Sequence, residues 1–177
     1  MAIMAALQQI DVALFDKVFH LGREYKAMTK GAIALSRSGD GYLQVLAPVL
    51  VWLAGSLLAP TYAIALAVAM LAERIIYYIM KNTLKRLRPC DFKKNLKSLI
   101  AASDKFSFPS GHTSAAFCFS VITIITFGSE FAAMFIWASL VGASRVIIGV
   151  HYPGDIIAGA VMGSAIAVGT TSMLNLW

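Results

Sequence analysis

The stretch GYLQVLAPVLVWLAGSLLAPTYAIALAVAMLA, residues 41–72, carries no charged side chain over its whole length. A membrane-spanning helix needs about 20 apolar residues, so this run is too long for one crossing and long enough for two. Ala59-Pro60-Thr61 lies inside it and predicts a tight turn, because proline disfavours a continuing helix. The run therefore predicts two spans, at residues 42–58 and 62–80, with Pro48 kinking the first.

The composition of the whole chain also favours a membrane protein. Of its 177 residues, 59% are hydrophobic and 14% are charged, whereas a typical soluble domain is about 25% charged. These values exclude a disordered chain and an ordinary cytosolic enzyme. The two cysteines, Cys90 and Cys118, lack the paired spacing of a disulfide framework or a thiolate zinc site.

Three more apolar runs follow, at residues 111–128, 131–148 and 156–177. Together with the first two they predict an all-α fold, a polytopic membrane bundle of about five spanning helices. Short turns join these helices, except for one loop of residues 89–108.

The first 40 residues differ from the rest. Leu14, Val18 and Leu21 fall on one helical face, and Asp11 and Asp16 lie elsewhere. This pattern favours an amphipathic helix in the membrane interface, although packing against the bundle explains it equally well. The predicted organisation is an N-terminal interfacial segment at residues 1–40 and a membrane-embedded domain, which carries the candidate site, at residues 41–177.

Ionisable and polar residues at the ends of the predicted spans form that candidate site. Such groups are costly at a membrane, so each is a functional candidate. Because the five predicted spans alternate in direction, the residues of this candidate site all lie at the same membrane face. They are Lys81, Arg88, Ser110, Gly111, His112, Arg145, His151 and Asp155.

The cations of this set predict a binding site for a phosphate group. Lys81, Arg88 and Arg145 supply three positive charges, and guanidinium groups bind phosphate oxygens bidentately. Ser110 is typical of a helix N-cap, and Gly111 lets another group approach the backbone. Free N–H groups at a helix start add to such an anion site.

The two histidines predict that this phosphate reacts. Asp155 lies four residues after His151, close enough to hold one ring nitrogen and leave the other free to attack. His112 is then the general acid for the leaving oxygen and the base for water in a second step. The chain has no metal-ligand spacing, so we expect no metal and no cofactor.

The order and spacing of these residues resemble the three-part signature of the type-2 phosphatidic acid phosphatase superfamily. The parts are Lys81-x6-Arg88-Pro89, Pro109-Ser110-Gly111-His112 and Ser144-Arg145-x5-His151-x3-Asp155. The resemblance covers roughly residues 40–175 of the chain. It implies a helical membrane phosphatase for lipid phosphates or diphosphates. Many membrane relatives have six spans, and from the five predicted here we expect the first of them to be missing.

The resemblance also implies roles for the matching residues. In that family the histidine that matches His151 forms a phosphohistidine, and the one that matches His112 protonates the leaving group. The positions that bind phosphate match Lys81, Arg88, Ser110, Gly111 and Arg145.

Several functions stay open at this point. The expected substrate is a lipid phosphate such as phosphatidylglycerol phosphate or phosphatidate, with undecaprenyl diphosphate as an alternative. An anion channel or transporter, and a lipid phosphotransferase, are the alternatives from other classes. The expected partners are the lipid phosphate and membrane lipids, without nucleic acid, and the sequence predicts no oligomeric state.

Two arguments about the membrane face of the site disagree. Five spans place every Lys and Arg on one side, apart from Arg74, which we expect to pair with Glu73 inside the second span. The positive-inside rule makes that side cytoplasmic. Bacterial relatives implied by the resemblance open their sites to the periplasm. We expect a protein of the bacterial cytoplasmic (inner) membrane with a periplasmic site.

Overall fold

The computed structural model of the chain describes residues 2–93, 96–102 and 104–175, with side chains from Gln8 onward. Each regular element in these ranges is a helix, which confirms the predicted all-α fold. The helices are α1 Ala2–Glu24, α2 Lys26–Ser38, α3 Tyr42–Leu53, α4 Ala59–Leu84, α5 Pro89–Phe92, α6 Gly111–Phe127, α7 Met134–Ile147 and α8 Pro153–Met173. A short 3₁₀ turn, Ser129–Phe131, precedes α7.

Within these ranges, three helical stretches are long and apolar enough to cross a membrane. They are α4, the stretch Ser129–Ile147 that contains α7, and α8. The other two predicted spans correspond to α3 and α6, which are apolar but shorter, at 12 and 17 residues. The chain is an integral membrane protein.

The turn between α3 and α4 lies earlier in the chain than predicted. α3 ends at Leu53, and Ala59 already begins α4. Pro60 lies in the first turn of α4, where its missing N–H is tolerated because the first N–H groups of a helix have no intrahelical partner. The prediction of a turn at residues 59–61 is therefore wrong. Gly55, with a φ of 75°, lies in the actual turn and adopts the left-handed conformation that glycine tolerates.

The core of the bundle is α6, in which 10 of 17 residues are buried. α6 packs closely against α8 because glycines face it. A Cβ on Gly163 would lie 2.1 Å from the Ser114 carbonyl oxygen, and one on Gly159 would lie 2.6 Å from the Ser110 carbonyl oxygen. Small residues allow this approach between membrane helices. The contact fixes the first turn of α6 beside the first turn of α8.

The N-terminal helices pack against the bundle, mainly on α7. Phe15 and Phe19 of α1 are fully buried and stack with ring centroids 5.3 Å apart. The ring of Tyr152 meets Phe15 edge-on at 5.5 Å. Leu14 and Leu21 stay about half exposed on the outer side of α1. α1 therefore has an apolar inner face and apolar residues on its outer side.

Candidate active site

The predicted site residues lie at neighbouring ends of four helices. α4 and α7 end there, and α6 and α8 begin there. Two hydrogen bonds connect these ends: the Ser110 backbone N–H donates to the Asp155 carbonyl at 3.1 Å, and Arg88 Nη1 donates to the Val150 carbonyl at 2.7 Å. The residues at this end are Lys81, Arg88, Ser110, Gly111, His112, Arg145, His151 and Asp155.

Lys81 and Arg88 share one carboxylate, that of Asp104. Lys81 Nζ lies 3.0 Å and Arg88 Nη2 2.6 Å from Asp104 Oδ1. Tyr77 donates its hydroxyl to Oδ2 at 2.5 Å. Burial alone would raise the pKa of Asp104, but hydrogen bonds from its three partners outweigh burial and lower that pKa to about 2. Lys81 and Arg88, two of the three cations that the sequence predicts for phosphate binding, are therefore paired with the Asp104 carboxylate in this structure.

Arg145, the third cation, is fixed by the N-terminal segment. It is 3% exposed, and its Nη1 donates to the Ser36 hydroxyl of α2. Its Nε has no hydrogen-bond partner within the described ranges. A buried guanidinium with an unpaired N–H is costly, so this group retains capacity for an anion.

The start of α6 combines a buried serine with a closely packed glycine. Ser110 occupies the N-cap position, and its hydroxyl lies 2.9 Å from the Thr113 hydroxyl instead of capping the backbone. A Cβ on Gly111 would lie 2.8 Å from the Tyr77 ring and 3.3 Å from Arg74 Nη2. Glycine at this position therefore allows both side chains of α4 to approach the helix start.

Arg74 and Glu73 form the pair that the sequence predicts. Arg74 Nε lies 2.5 Å from Glu73 Oε2, and the Glu73 side chain is fully buried. The Arg74 side chain is half exposed and stacks over the Tyr77 ring, with its guanidinium carbon 4.4 Å from the centroid. A charged group thus lies beside the first turn of α6.

His151 is buried in the turn between α7 and α8, at 2% exposure. Its Nδ1 lies 3.5 Å from Asp155 Oδ2 and makes no hydrogen bond to any residue that the structure describes. This separation is at the outer limit for a hydrogen bond. The structure thus brings Asp155 next to His151 but leaves the ring nitrogen unpaired.

The surroundings of His151 favour the neutral imidazole. Burial lowers the pKa of His151 most, and the charges of Arg88 and Arg145 lower it further. Asp155 opposes them, and the resulting pKa is about 4. A neutral imidazole has a lone pair for nucleophilic attack, so the ring is in its reactive form at neutral pH.

Asp155 is held by groups from separate parts of the chain. Its Oδ2 accepts the Tyr152 backbone N–H at 2.8 Å, which caps α8, and its Oδ1 accepts Arg86 Nη1 at 2.7 Å. Arg86 Nη2 also donates to Asp11 Oδ2 at 2.6 Å. Asp11 Oδ1 accepts the Gly154 N–H at 2.7 Å. A chain of charged hydrogen bonds therefore links α1 to the candidate catalytic carboxylate.

His112 has more open surroundings. Its side chain is 24% exposed, and its Nε2 lies 2.8 Å from Asp40 Oδ1, just before α3. His112 and Arg74 line a groove of about 590 Å³ between α3, α4 and α6. The groove also has apolar lining, which includes Val45, Pro48, Leu66 and Met70. It therefore connects the candidate general acid with the apolar faces of membrane helices.

A family model described as the PAP2 superfamily matches residues 62–177, more than half of the chain. The chain belongs to the PAP2 superfamily. This finding confirms the resemblance read from the three motifs, all of which lie inside the matched residues.

Relatives of this PAP2 chain include enzymes named for lipid phosphates. A lipid A 4'-phosphatase of Bacteroides thetaiotaomicron is 29% identical over 110 residues, covering 58% of this chain and 49% of the relative. The bacitracin transport permease protein BcrC of Bacillus licheniformis is 27% identical over 158 residues, covering 89% and 77%. An undecaprenyl-diphosphatase of Sulfolobus acidocaldarius is 30% identical over 143 residues, covering 76% and 65%. The chain spans about half the length of the first of these.

Two crystal structures share the PAP2 chain's fold. Aquifex aeolicus LpxE matches with a TM-score of 0.78 at 21% identity, over 90% of this chain and 93% of that one. A transmembrane PAP2 type phosphatidylglycerolphosphate phosphatase from Bacillus subtilis matches with a TM-score of 0.76 at 20% identity, over 96% and 87%. Both likenesses support the helical membrane fold.

Three acidic partners in the site of this PAP2 chain were not predicted from the sequence: Asp11, Asp40 and Asp104. Asp40 directly precedes the charge-free stretch, so a search for carboxylates at span ends would have found it. Asp104 lies in the loop before the second motif and carries a weaker signal. Nothing local marks Asp11, because its partner Arg86 lies 75 residues away.

Proposed function

We propose that the chain is a metal-independent lipid phosphatase that works through a phosphohistidine on His151. The observation that carries this proposal is the buried neutral imidazole of His151 beside the guanidinium groups of Arg88 and Arg145. Cations bind the phosphate, and a neutral ring attacks it. Membership of the PAP2 superfamily supports the same chemistry, as do relatives named as lipid phosphatases.

The proposed reaction has two balanced steps. In the first, Nε2 of His151 attacks phosphorus, an N–P bond forms, and the P–O bond to the lipid breaks as His112 gives a proton to the leaving oxygen. In the second, water attacks the phosphohistidine and gives a proton to His112, the N–P bond breaks, and inorganic phosphate leaves. Lys81, Arg88 and Arg145 stabilise the charge on the equatorial oxygens.

Asp104 occupies the cations that the substrate phosphate must bind, so the proposed cycle begins with its displacement. Its carboxylate holds Lys81 and Arg88 through contacts of 3.0 and 2.6 Å. A substrate phosphate that binds both cations exchanges with this carboxylate. The Asp104 carboxylate is therefore displaced from Lys81 and Arg88 when substrate binds in the proposed cycle.

The proposed substrate is a phosphate monoester or diphosphate of a membrane lipid, such as phosphatidylglycerol phosphate or phosphatidate. The groove beside His112 supports a lipid, because its apolar lining suits hydrocarbon chains and its polar end reaches the candidate site. Undecaprenyl diphosphate is the alternative, and one relative is named for it.

We place the chain in a bacterial cytoplasmic (inner) membrane with its site on the periplasmic face. Residues 1–40 are proposed as the interfacial segment of this enzyme. The half-exposed Leu14 and Leu21 support that placement, because an outer apolar side of α1 suits the headgroup boundary.

Phosphate release from a lipid panel tests the proposed function. Purified protein is incubated with phosphatidylglycerol phosphate, phosphatidate, undecaprenyl diphosphate and lipid A, with and without EDTA. We expect release from at least one lipid, no loss in EDTA, and inhibition by vanadate, which mimics the five-coordinate transition state. Loss in EDTA that magnesium restores would contradict the metal-independent mechanism. Loss of phosphate from the donor lipid only when an acceptor lipid is present, with the phosphate then found on that acceptor, would indicate a phosphotransferase.

A further inference from the structure

α3 has an unusual distribution of exposed and buried residues. The structure describes all of Tyr42–Leu53, and Gln44 is its single buried residue, at 9% exposure. Its neighbours Leu43 and Val45 are 39% and 70% exposed. An apolar helix with its one amide buried is the reverse of the pattern in a soluble protein. The outer side chains of α3 therefore suit lipid, while Gln44 lines the groove beside His112.

The Gln44 amide has no protein partner in the described ranges. Both Nε2 and Oε1 are buried, and neither makes a hydrogen bond there. Buried polar groups are costly when unpaired, and native proteins seldom leave both ends of an amide without a partner. A ligand in the groove would supply the missing hydrogen bond.

The position of Gln44 indicates which part of a lipid it meets. Gln44 lies in the first turn of α3, four residues after Asp40, the carboxylate that contacts His112. Its groove continues along Pro48 and Met70, which are apolar. In a diacylglycerol phosphate, the ester carbonyls lie a few bonds from phosphorus, between the headgroup and the hydrocarbon tails. Gln44 has the corresponding position in the groove, between His112 at the polar end and the apolar residues Pro48 and Met70.

We propose that Gln44 Nε2 donates a hydrogen bond to an acyl-ester carbonyl of the substrate and so selects acylated lipid phosphates over polyprenyl phosphates. This inference rests on the proposed function and adds the substrate class to it. A polyprenyl chain carries no acceptor at that depth, so its binding leaves the buried amide unpaired. Sites built around a hydrogen bond discriminate strongly against a ligand that lacks it.

The test compares a diacyl phosphatidate with its dialkyl-ether analogue of equal chain length, in detergent micelles with the purified full chain. We expect wild-type kcat/KM for phosphate release to favour the ester by about tenfold. Gln44→Leu is expected to bring the ester-to-ether ratio near one through loss on the ester. Val45→Leu is the matched control, because it changes the same wall without a polar group and is expected to keep the ratio.

The outcomes separate the inference from the proposed function. Hydrolysis of p-nitrophenyl phosphate at the wild-type rate by Gln44→Leu shows that the variant is folded and its chemistry intact, as the inference requires. An unchanged ester preference in Gln44→Leu would overturn the inference and leave the phosphatase in place. Equal losses on ester and ether would also overturn it, since they indicate a structural role. No phosphate release from any lipid by the wild type would overturn the proposed function and the inference together.

Discussion

His151 and His112 each lie beside a carboxylate, but the two pairs have different surroundings. The His151–Asp155 pair is closed, with side chains 3% and 0% exposed and a separation of 3.5 Å. The His112–Asp40 pair is open, with side chains 24% and 40% exposed and a separation of 2.8 Å. Burial disfavours a charged imidazole. The closed pair therefore suits a neutral nucleophile, and the open pair suits a proton carrier that meets the leaving group and water.

The two carboxylates are also anchored differently. Asp155 caps α8 and binds Arg86, which in turn binds Asp11 of α1. Asp40 lies in the short connection between α2 and α3 and is more exposed. The proposed nucleophile therefore has a partner that several charged hydrogen bonds hold, whereas the proposed acid–base histidine is accessible from the groove.

The largest expected effect is that of His151→Ala, which removes the nitrogen proposed to attack phosphorus. We expect lipid phosphate release to fall by more than about a thousandfold. His20→Ala is the matched control, because His20 is exposed on α1, and it is expected to retain activity. Release by His151→Ala within tenfold of wild type would place the nucleophile elsewhere.

His112→Ala tests the general-acid role that is proposed for His112 and not for His151. For a lipid alkoxide, a poor leaving group, we expect kcat/KM, which reports the first step, to fall by about 10²–10⁴-fold, because the leaving oxygen loses its proton donor. For p-nitrophenyl phosphate, whose leaving group departs without a proton, the loss is expected to be much smaller. Equal losses on both substrates would contradict the general-acid role.

The pH profile of kcat/KM reports the closed surroundings of His151. Because the pKa of His151 is lowered to about 4, the ring stays neutral and nucleophilic as pH falls through 6.5 and becomes protonated only near pH 4. At pH 5, the neutral fraction is about 30-fold greater than that of a histidine with the ordinary pKa of about 6.5. The residual rate of His151→Ala serves as the control for this profile. An acid limb near pH 6.5 that is present in the wild type and absent from His151→Ala would contradict the buried neutral ring.

Asp11→Asn tests the support behind the closed pair. The substitution weakens the charged hydrogen bonds to Arg86, so Asp155 is held less firmly and kcat is expected to fall about tenfold with KM unchanged. Asp16→Asn is the control on the same helix, because Asp16 pairs with Lys93 instead. We expect that variant to keep its kcat. Equal effects of both substitutions would indicate only a general role for α1.

Asp104→Asn is expected to give the smallest effect. The change removes a carboxylate that competes with substrate phosphate for Lys81 and Arg88. The inhibition constant of inorganic phosphate is expected to fall severalfold, while Asp91→Asn, on an exposed residue of α5, leaves it unchanged. Weaker phosphate inhibition in Asp104→Asn would show that Asp104 helps to bind the anion instead of competing with it.

Much of the fold followed from the charge-free runs, because the length of an apolar run limits where a membrane helix can end. Pro60 was misread because proline is compatible both with a turn and with the first turn of a helix, and the local sequence does not distinguish them. The motifs beside the runs named the candidate catalytic and phosphate-binding residues, since each motif adjoins a helix end.

The partners that the N-terminal helices contribute were beyond prediction for a physical reason. Asp11 reaches Arg86 across 75 residues, and Ser36 reaches Arg145 across 109. Such contacts depend on how α1 and α2 pack on the bundle, which no local periodicity encodes. The unpaired amide of Gln44 is likewise visible only once the groove between α3, α4 and α6 has formed.

Trapping the covalent intermediate tests the central claim most directly. Wild type, His112→Ala and His151→Ala are mixed briefly with ³²P-labelled p-nitrophenyl phosphate, whose leaving group needs no proton from His112, and are quenched in alkali, which preserves phosphohistidine. The labelled peptide is then identified. The account predicts label on the peptide that contains His151, more of it in His112→Ala because the second step lacks its base, and none in His151→Ala. Label on another residue, or none in His112→Ala while phosphate is still released, would contradict the account.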